Sequence, residues 1–301
     1  MSEPEGGRVV SLALDRHIHV IVNSRFDDMV RLSYSNMELV NDFEDLEHEL
    51  AREAMRMTGV TSGVEITTIA DIPSRGTGLG SSSAVTVGLL NALHAYAGRE
   101  VSAEQLAREA CEIEIDILGQ PIGRQDQYAA AYGGINSIRF GSEGVSVERI
   151  DVSEESLFHL SNDFALVFTG MSRSASEVLS ETPEDESDKI ARLRVIRGQA
   201  DQAYEMMVNG DTSGLGSLIG EAWNAKRGIS ASVSGHDLDT MHERIMAAGA
   251  SGAKLLGAGG GGFFLAHYGM GGIPGEILAS LGRWFPLDVD MTGSQIIYKG
   301  D

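Results

Sequence analysis

The sequence holds a single cysteine, Cys111, among 301 residues. No intrachain disulfide can form, and the chain suits a reducing compartment. With no cationic neighbour in sequence, that thiol reads as a small buried apolar group of a helix and not as a nucleophile. Basic residues are also scarce: 23 Lys and Arg stand against 44 Asp and Glu, a formal net charge of −21. A surface of that sign repels nucleic-acid phosphates and anionic lipid, so neither is expected as a partner. Any anionic ligand must be caught by a local positive device. No apolar run approaches the roughly 18 residues of a membrane span, and MSEPEGGR lacks the apolar core of a signal peptide. These absences lead to the expectation of a cytoplasmic protein. The 42% hydrophobic and 22% charged content excludes a disordered or fibrous chain and leaves ample material for a buried core.

The first forty residues read as β structure, in VVSLAL, HIHVIVNSRF and VRLSY, with turn chemistry at Asn23, Asp27 and Asp28. A helix is expected in FEDLEHELAREAMRMTG, ending at Gly59, and a strand in VEITTIADIP, stopped by Pro73. AVTVGLLNALHAYAG has Val85, Leu89 and Leu93 at intervals of four, one buried helical stripe closed by Gly98. SAEQLAREACEIEIDILG reads as a second helix with a Ser102 cap, a capping box completed by Gln105, and a stripe of Leu106, Ala110, Ile113 and Ile117. INSIRF is a strand. The acidic run ETPEDESD reads as a solvated loop or helix entrance. FALVFTG opens a second half, followed by helices through DKIARLRVIRGQADQAYEMM, the segment KLLGAGGGGFFLAHY and a closing strand in SQIIYKG. Strands and helices alternate with antiparallel-looking hairpins, so an α+β fold is expected, with domains at residues 1–155 and 156–301.

The chemistry concentrates in three segments. PSRGTGLGSSSA lies between a strand and an amphipathic helix. Gly76, Gly78 and Gly80 allow left-handed backbone and close approach to a ligand, and the following amides open a helix whose positive end attracts anions. Ser81, Ser82 and Ser83 add hydroxyl donors and a ligand for a hard cation. The segment suits a polyphosphate, yet it lacks the Lys-Ser or Lys-Thr pair of a Walker loop and the Rossmann spacing. GAGGGG, residues 257–262, is explained equally by a tight hairpin and by ligand contact. In EIEIDILGQPIGRQDQYAAAYGG, Glu114 and Asp116 fall at opposite margins of the buried stripe; either could hold Mg²⁺, and spacing does not choose between them. Asp126 stands in a short loop or helix entrance beside Arg124, whose fixed cation would keep it ionised. It reads as a helix cap, a surface acid or a base.

GLGSSSA, GRQDQYAAAYGG and KLLGAGGGGFF, in this order, resemble the signature motifs and the catalytic-aspartate region of the GHMP kinases (galactokinase, homoserine kinase, mevalonate kinase, phosphomevalonate kinase). RFDD, IADIPSRGTGLGSSS and FTGMSRSASEVL look most like the D-glycero-D-manno-heptose 7-phosphate kinase branch. The resemblance implies a two-domain fold with the active site in the cleft between domains, and ATP and Mg²⁺ as cofactors. It implies that Gly76, Gly78, Leu79, Gly80, Ser81, Ser82 and Ser83 wrap the ATP phosphates, that Ser82 and Glu114 ligate Mg²⁺, and that Asp126 orients or deprotonates the acceptor hydroxyl. Gly259, Gly260 and Gly261 would lie against the phosphate loop and acceptor site. The acceptor would be the anomeric hydroxyl of a sugar phosphate, with a free-sugar kinase or a non-catalytic ATP- or sugar-binding relative as alternatives. A homodimer is compatible with the reading. For the sugar's own phosphate the candidates are Arg75, Arg173, Lys226 and Arg227, with Arg173 favoured because Ser172 and Ser174 flank it with hydroxyls. The family's N-terminal glycine-rich Thr-Asp turn normally precedes the segment that here starts near Gly6. The resemblance thus implies either an upstream start or an acceptor site short of one aspartate.

Overall fold

The β-rich opening consists of β1 (Gly7–Leu12), β2 (Ile18–Ser24), β3 (Val30–Ser33) and β4 (Met37–Val40). The computed structural model describes residues 6–72, 76–172 and 186–300. Pro73, Arg75, Arg173 and residues 181–185 of the acidic run therefore lie outside the described residues.

The chain divides into two compact units that interleave along the sequence. One draws on Arg16–Ser74, Gly80–Gly133 and Met291–Asp301, the other on Met1–Asp15, Arg75–Leu79 and Gly134–Asp290. This grouping does not follow a single cut at residue 155. The reason is pairing: β1 runs antiparallel to β6 (Ile135–Gly141), which also pairs with β7 (Gly144–Arg149), so the first strand joins elements far along the chain.

In the first of these units a four-stranded sheet has the order β2-β5-β3-β4, where β5 is Val64–Ala70. The β3–β5 pair is parallel and the others antiparallel. Four helices belong to the same unit: α1 (Glu49–Thr58), α2 (Ser81–Tyr96), α3 (Ala103–Cys111) and α4 (Gln125–Tyr132). α1 starts under a His48 side-chain cap and ends at Gly59 in left-handed conformation, as expected. The α2 stripe of Val85, Leu89 and Leu93 is buried. Cys111 is buried too, and burial pushes its thiol up to about 12, which makes it inert.

Two expectations for α3 need correction. Ser102 accepts from the Gln105 amide at 3.2 Å, but the Gln105 side chain donates to Glu109 at 2.8 Å, so the box closes on one side only. From Glu112 to Ile117 the helix continues as a π turn. The wider turn rotates Ile117 off the stripe and leaves it half exposed.

The other unit holds the sheet β1-β6-β7 and a sheet of order β11-β8-β10-β9. Its strands are β8 (Phe164–Phe168), β9 (Gly252–Leu255), β10 (Phe263–His267) and β11 (Trp284–Pro286). Along β8, Ala165 and Val167 enter one core with Trp223 and Phe264, while Phe164 and Leu166 enter another with Leu215 and Phe263. Both faces are covered, so FALVF is continuously apolar instead of alternating. The helices of this unit are α5 (Glu154–Asp163), α6 (Glu186–Val208), α7 (Leu215–Arg227), α8 (His236–Ala247) and α9 (Gly275–Leu281). The closing strand expected in SQIIYKG is not formed: residues 294–300 pair with no strand, and Ile296, Ile297 and Tyr298 are exposed. β-branched residues favour a strand only where a neighbouring edge is free to receive them. Among the described residues no helix is long and apolar enough to cross a membrane.

Two glycines test how backbone contacts hold the fold. Gly59 (φ +71°) faces open space, whereas a Cβ on Gly262 (φ +99°) would sit 2.2 Å from the Thr77 carbonyl oxygen. Gly59→Ala should cost about 1 kcal/mol through left-handed strain alone. Gly262→Ala adds a clash with backbone and should cost more than about 3 kcal/mol. Urea unfolding of both variants checks the contrast; equal losses would refute it.

Candidate active site

The glycine–serine segment is built as the sequence predicts, with Gly76, Gly78 and Gly80 all at φ between +67° and +73°. Gly80 is the N-cap residue of α2 and makes no side-chain cap hydrogen bond to the helix start. Among the three hydroxyl residues, Ser81 and Ser83 are buried, and Ser82 is the partly exposed one. Its Oγ donates to Glu114 Oε1 at 2.7 Å.

Glu114 lies in the π turn and is fully buried. Its second oxygen accepts from Gln127 Nε2 at 2.7 Å. Among the described residues no Lys, Arg or His stands within ion-pair distance of it. Asp116, by contrast, is exposed on the same turn. Gln127 was not singled out by the sequence; nothing in QDQ distinguishes its two glutamines until α4 turns one inward.

Asp126 occupies the first turn of α4 and packs on Gly80: a Cβ there would lie 3.1 Å from the Asp126 carboxyl carbon. Only glycine lets the carboxylate approach the start of α2 this closely. Burial raises Asp126 from its ordinary 3.8 to about 6, with the Glu114 charge adding and a Gln125 hydrogen bond opposing. Arg124 is not among the groups that shift this carboxyl; desolvation dominates, and the group still ionises at neutral pH as expected. Ser82, Glu114, Gln127, Gly80 and Asp126 form one cluster within one unit.

In the other unit the second glycine loop packs on backbone. A Cβ on Gly257 would lie 2.5 Å from Gly78 Cα, one on Gly259 2.8 Å from Val233 Cα, and one on Gly261 2.8 Å from the Met171 carbonyl oxygen and 3.3 Å from Ser172 N. Gly260 donates to the Val233 carbonyl at 3.0 Å. Close chain approach accounts for the glycines, and Gly257 and Gly262 bring the loop against Thr77 and Gly78. Leu79 packs into the core of this unit. Lys226 donates to the carbonyls of Leu255 and Gly257, and burial beside Lys254 lowers it to about 7. Arg227 pairs with Asp239 at 2.9 Å and lies over Trp223, an ordinary surface cation. Ser172 is exposed.

The chain is similar to known proteins in sequence and in fold. The profile of the GHMP kinases N terminal domain matches residues 45–134. The chain is 28% identical over 275 residues to the D-glycero-alpha-D-manno-heptose 7-phosphate kinase of Campylobacter jejuni, covering 85% of this chain and 80% of that protein. It is 31% identical over 211 residues to a mevalonate kinase of Methanothermobacter thermautotrophicus, covering 68% of this chain and 65% of that protein. In fold it is similar to a D-glycero-D-manno-heptose 1-phosphate kinase from Bacteriodes thetaiotaomicron, with a TM-score of 0.80 at 22% identity, covering 99% of this chain and 93% of that one.

The raised Asp126 carboxyl has a consequence for stability. A folded value near 6 against 3.8 unfolded means the folded state binds the proton more tightly, so the ionised group destabilises above pH 6 and the penalty fades as pH falls toward 4. Asp126→Asn should therefore raise stability by about 1–3 kcal/mol at pH 8. That gain should vanish near pH 4. Thermal melts across this range measure it, and a pH-independent difference would contradict the burial argument.

Proposed function

We propose that this chain, which belongs to the GHMP kinase superfamily, transfers the γ-phosphoryl group of ATP to the anomeric hydroxyl of a sugar phosphate, with D-glycero-D-manno-heptose 7-phosphate as the acceptor. The observation that carries the reading is the convergence of Ser82, Glu114 and Asp126 at the start of α2. The amides that open α2 and its positive end suit the polyphosphate. In phosphoryl transfer the protein supplies position and charge, and these groups supply both.

The donor set fits Mg²⁺. A hydroxyl and a carboxylate are hard oxygen ligands, and Glu114, fully buried with no cation beside it among the described residues, suits a bound metal. Among the described residues no three His, Cys, Asp or Glu side chains cluster, so two protein oxygens would leave the remaining positions to water and phosphate oxygens. Bound there, the metal would neutralise charge on the phosphates. Asp126, with a value near 6, is largely ionised at neutral pH and basic enough to accept the acceptor proton. Gln127 fixes Glu114 from behind. Arg173 remains our choice for the acceptor's own phosphate. We also keep residues 1–155 and 156–301 as the ATP-binding and C-terminal kinase domains, and a reducing cytoplasm as the location.

The decisive assay compares transfer with nucleotide binding. Asp126→Asn should keep ATP affinity equal or slightly better by calorimetry, while transfer falls about 10²–10⁴-fold. Ser82→Ala and Glu114→Gln should lower turnover at least as far, with folding losses of about 0.5–2 kcal/mol. Turnover within twofold of the parent in all three would remove these residues from the catalytic role, and a parent that transfers to no sugar phosphate would leave a non-catalytic binding protein. A separate measurement addresses the acceptor. Arg173→Ala should raise KM for the heptose phosphate about tenfold or more, the equivalent of one hydrogen bond to a charged group. Activity on an unphosphorylated sugar should hold; equal loss on both would assign Arg173 a structural role.

A further inference from the structure

In the unit that holds Ser82, α2 packs on β2 of the four-stranded sheet, and among the described residues the opposite face of that sheet is exposed. Val30, Leu32, Val64 and Ile66 are buried on the α2 side. The strand pleat sends alternate residues the other way, where a one-sided antiparallel sheet ordinarily carries polar groups. Here it carries Ile21 (53% exposed), Ile69 (54%), Met37 (61%) and Leu39 (50%).

Register sets the pattern of this face. One row crosses the sheet as Ile21, Thr67, Ser33 and Met37; the next as Asn23, Glu65, Arg31 and Leu39; His19 stands beside Ile69. Apolar residues therefore flank the face on both sides, with Glu65 and Arg31 between them at 3.3 Å. Arg25 reaches the same Glu65 at 3.7 Å and Asp27 at 2.7 Å. Two arginines against two carboxylates leave this region neutral on a chain whose net charge is −21. Elsewhere that net charge resists association of two copies; here it does not.

From this pattern we infer that the open face of the β2-β5-β3-β4 sheet is the contact between two copies of the chain, packed about a twofold axis near Glu65 and Arg31. A twofold axis makes the patch meet itself, so each contact occurs twice. The Ile21–Ile69 flank of one copy covers the Met37–Leu39 flank of the other, and Arg31 of each copy approaches Glu65 of its mate. Phe26 is wholly exposed in the loop joining β2 and β3.

Sedimentation velocity from 1 to 100 μM tests this on the whole chain. The parent should show a species of twice 32.1 kDa. Ile21→Glu and Leu39→Glu each insert two charges per interface and should raise the dissociation constant at least 100-fold, with an unchanged far-ultraviolet circular dichroism spectrum because both sites are exposed. Arg31→Glu and Glu65→Arg should each be monomeric alone and associate when mixed, because only the mixed pair restores opposite charges across the axis. A parent that stays monomeric at 100 μM would overturn the inference and leave the face to another partner. Dimers that survive Ile21→Glu and Leu39→Glu, or charge variants that do not associate on mixing, would also overturn it.

Discussion

A fully buried carboxylate with no cation beside it among the described residues is the constraint around which the candidate site is organised. Glu114 costs folding energy unless its oxygens are satisfied, and the chain meets that need with one hydroxyl from α2 and one amide from α4. Three segments distant in sequence are thereby tied at one point. The π turn that carries Glu114 widens the helix where α3 would otherwise continue. A regular helix would also have kept Ile117 on the buried stripe.

The same economy governs Asp126. Its carboxyl packs against Gly80, where any other residue would intrude. Burial keeps its proton affinity close to the neutral range at a cost in stability. Groups suited to proton transfer are held in such poorly solvated positions, and the fold tolerates them because the surrounding core is large.

In the other unit the glycines act through contact. GAGGGG looked equally suited to a hairpin and to ligand approach. Its backbone meets Gly78, Thr77, Val233 and Met171 at distances that leave no room for a Cβ. The loop therefore fixes the conformation of Thr77 and Gly78, which lead into the segment opening α2.

Local patterns were enough to identify the α2 stripe, the Gly59 stop, the Ser102 cap and the three left-handed glycines, because each depends on neighbours within a few residues. Ordered motifs likewise carried the family resemblance, and with it Ser82, Glu114 and Asp126. Periodicity could not choose Glu114 over Asp116, since a π turn is set by packing and not by residue type. Nor could it foresee the Asp126 proton affinity: Arg124 is adjacent in sequence, but desolvation depends on what surrounds the carboxyl in space. Gln127 was invisible for the same reason, and SQIIYKG failed as a strand because no edge receives it. Sequence by itself determined the elements and the chemistry available to them; tertiary structure decided which groups lost water and which faces found a partner, since burial is a property of the assembled chain.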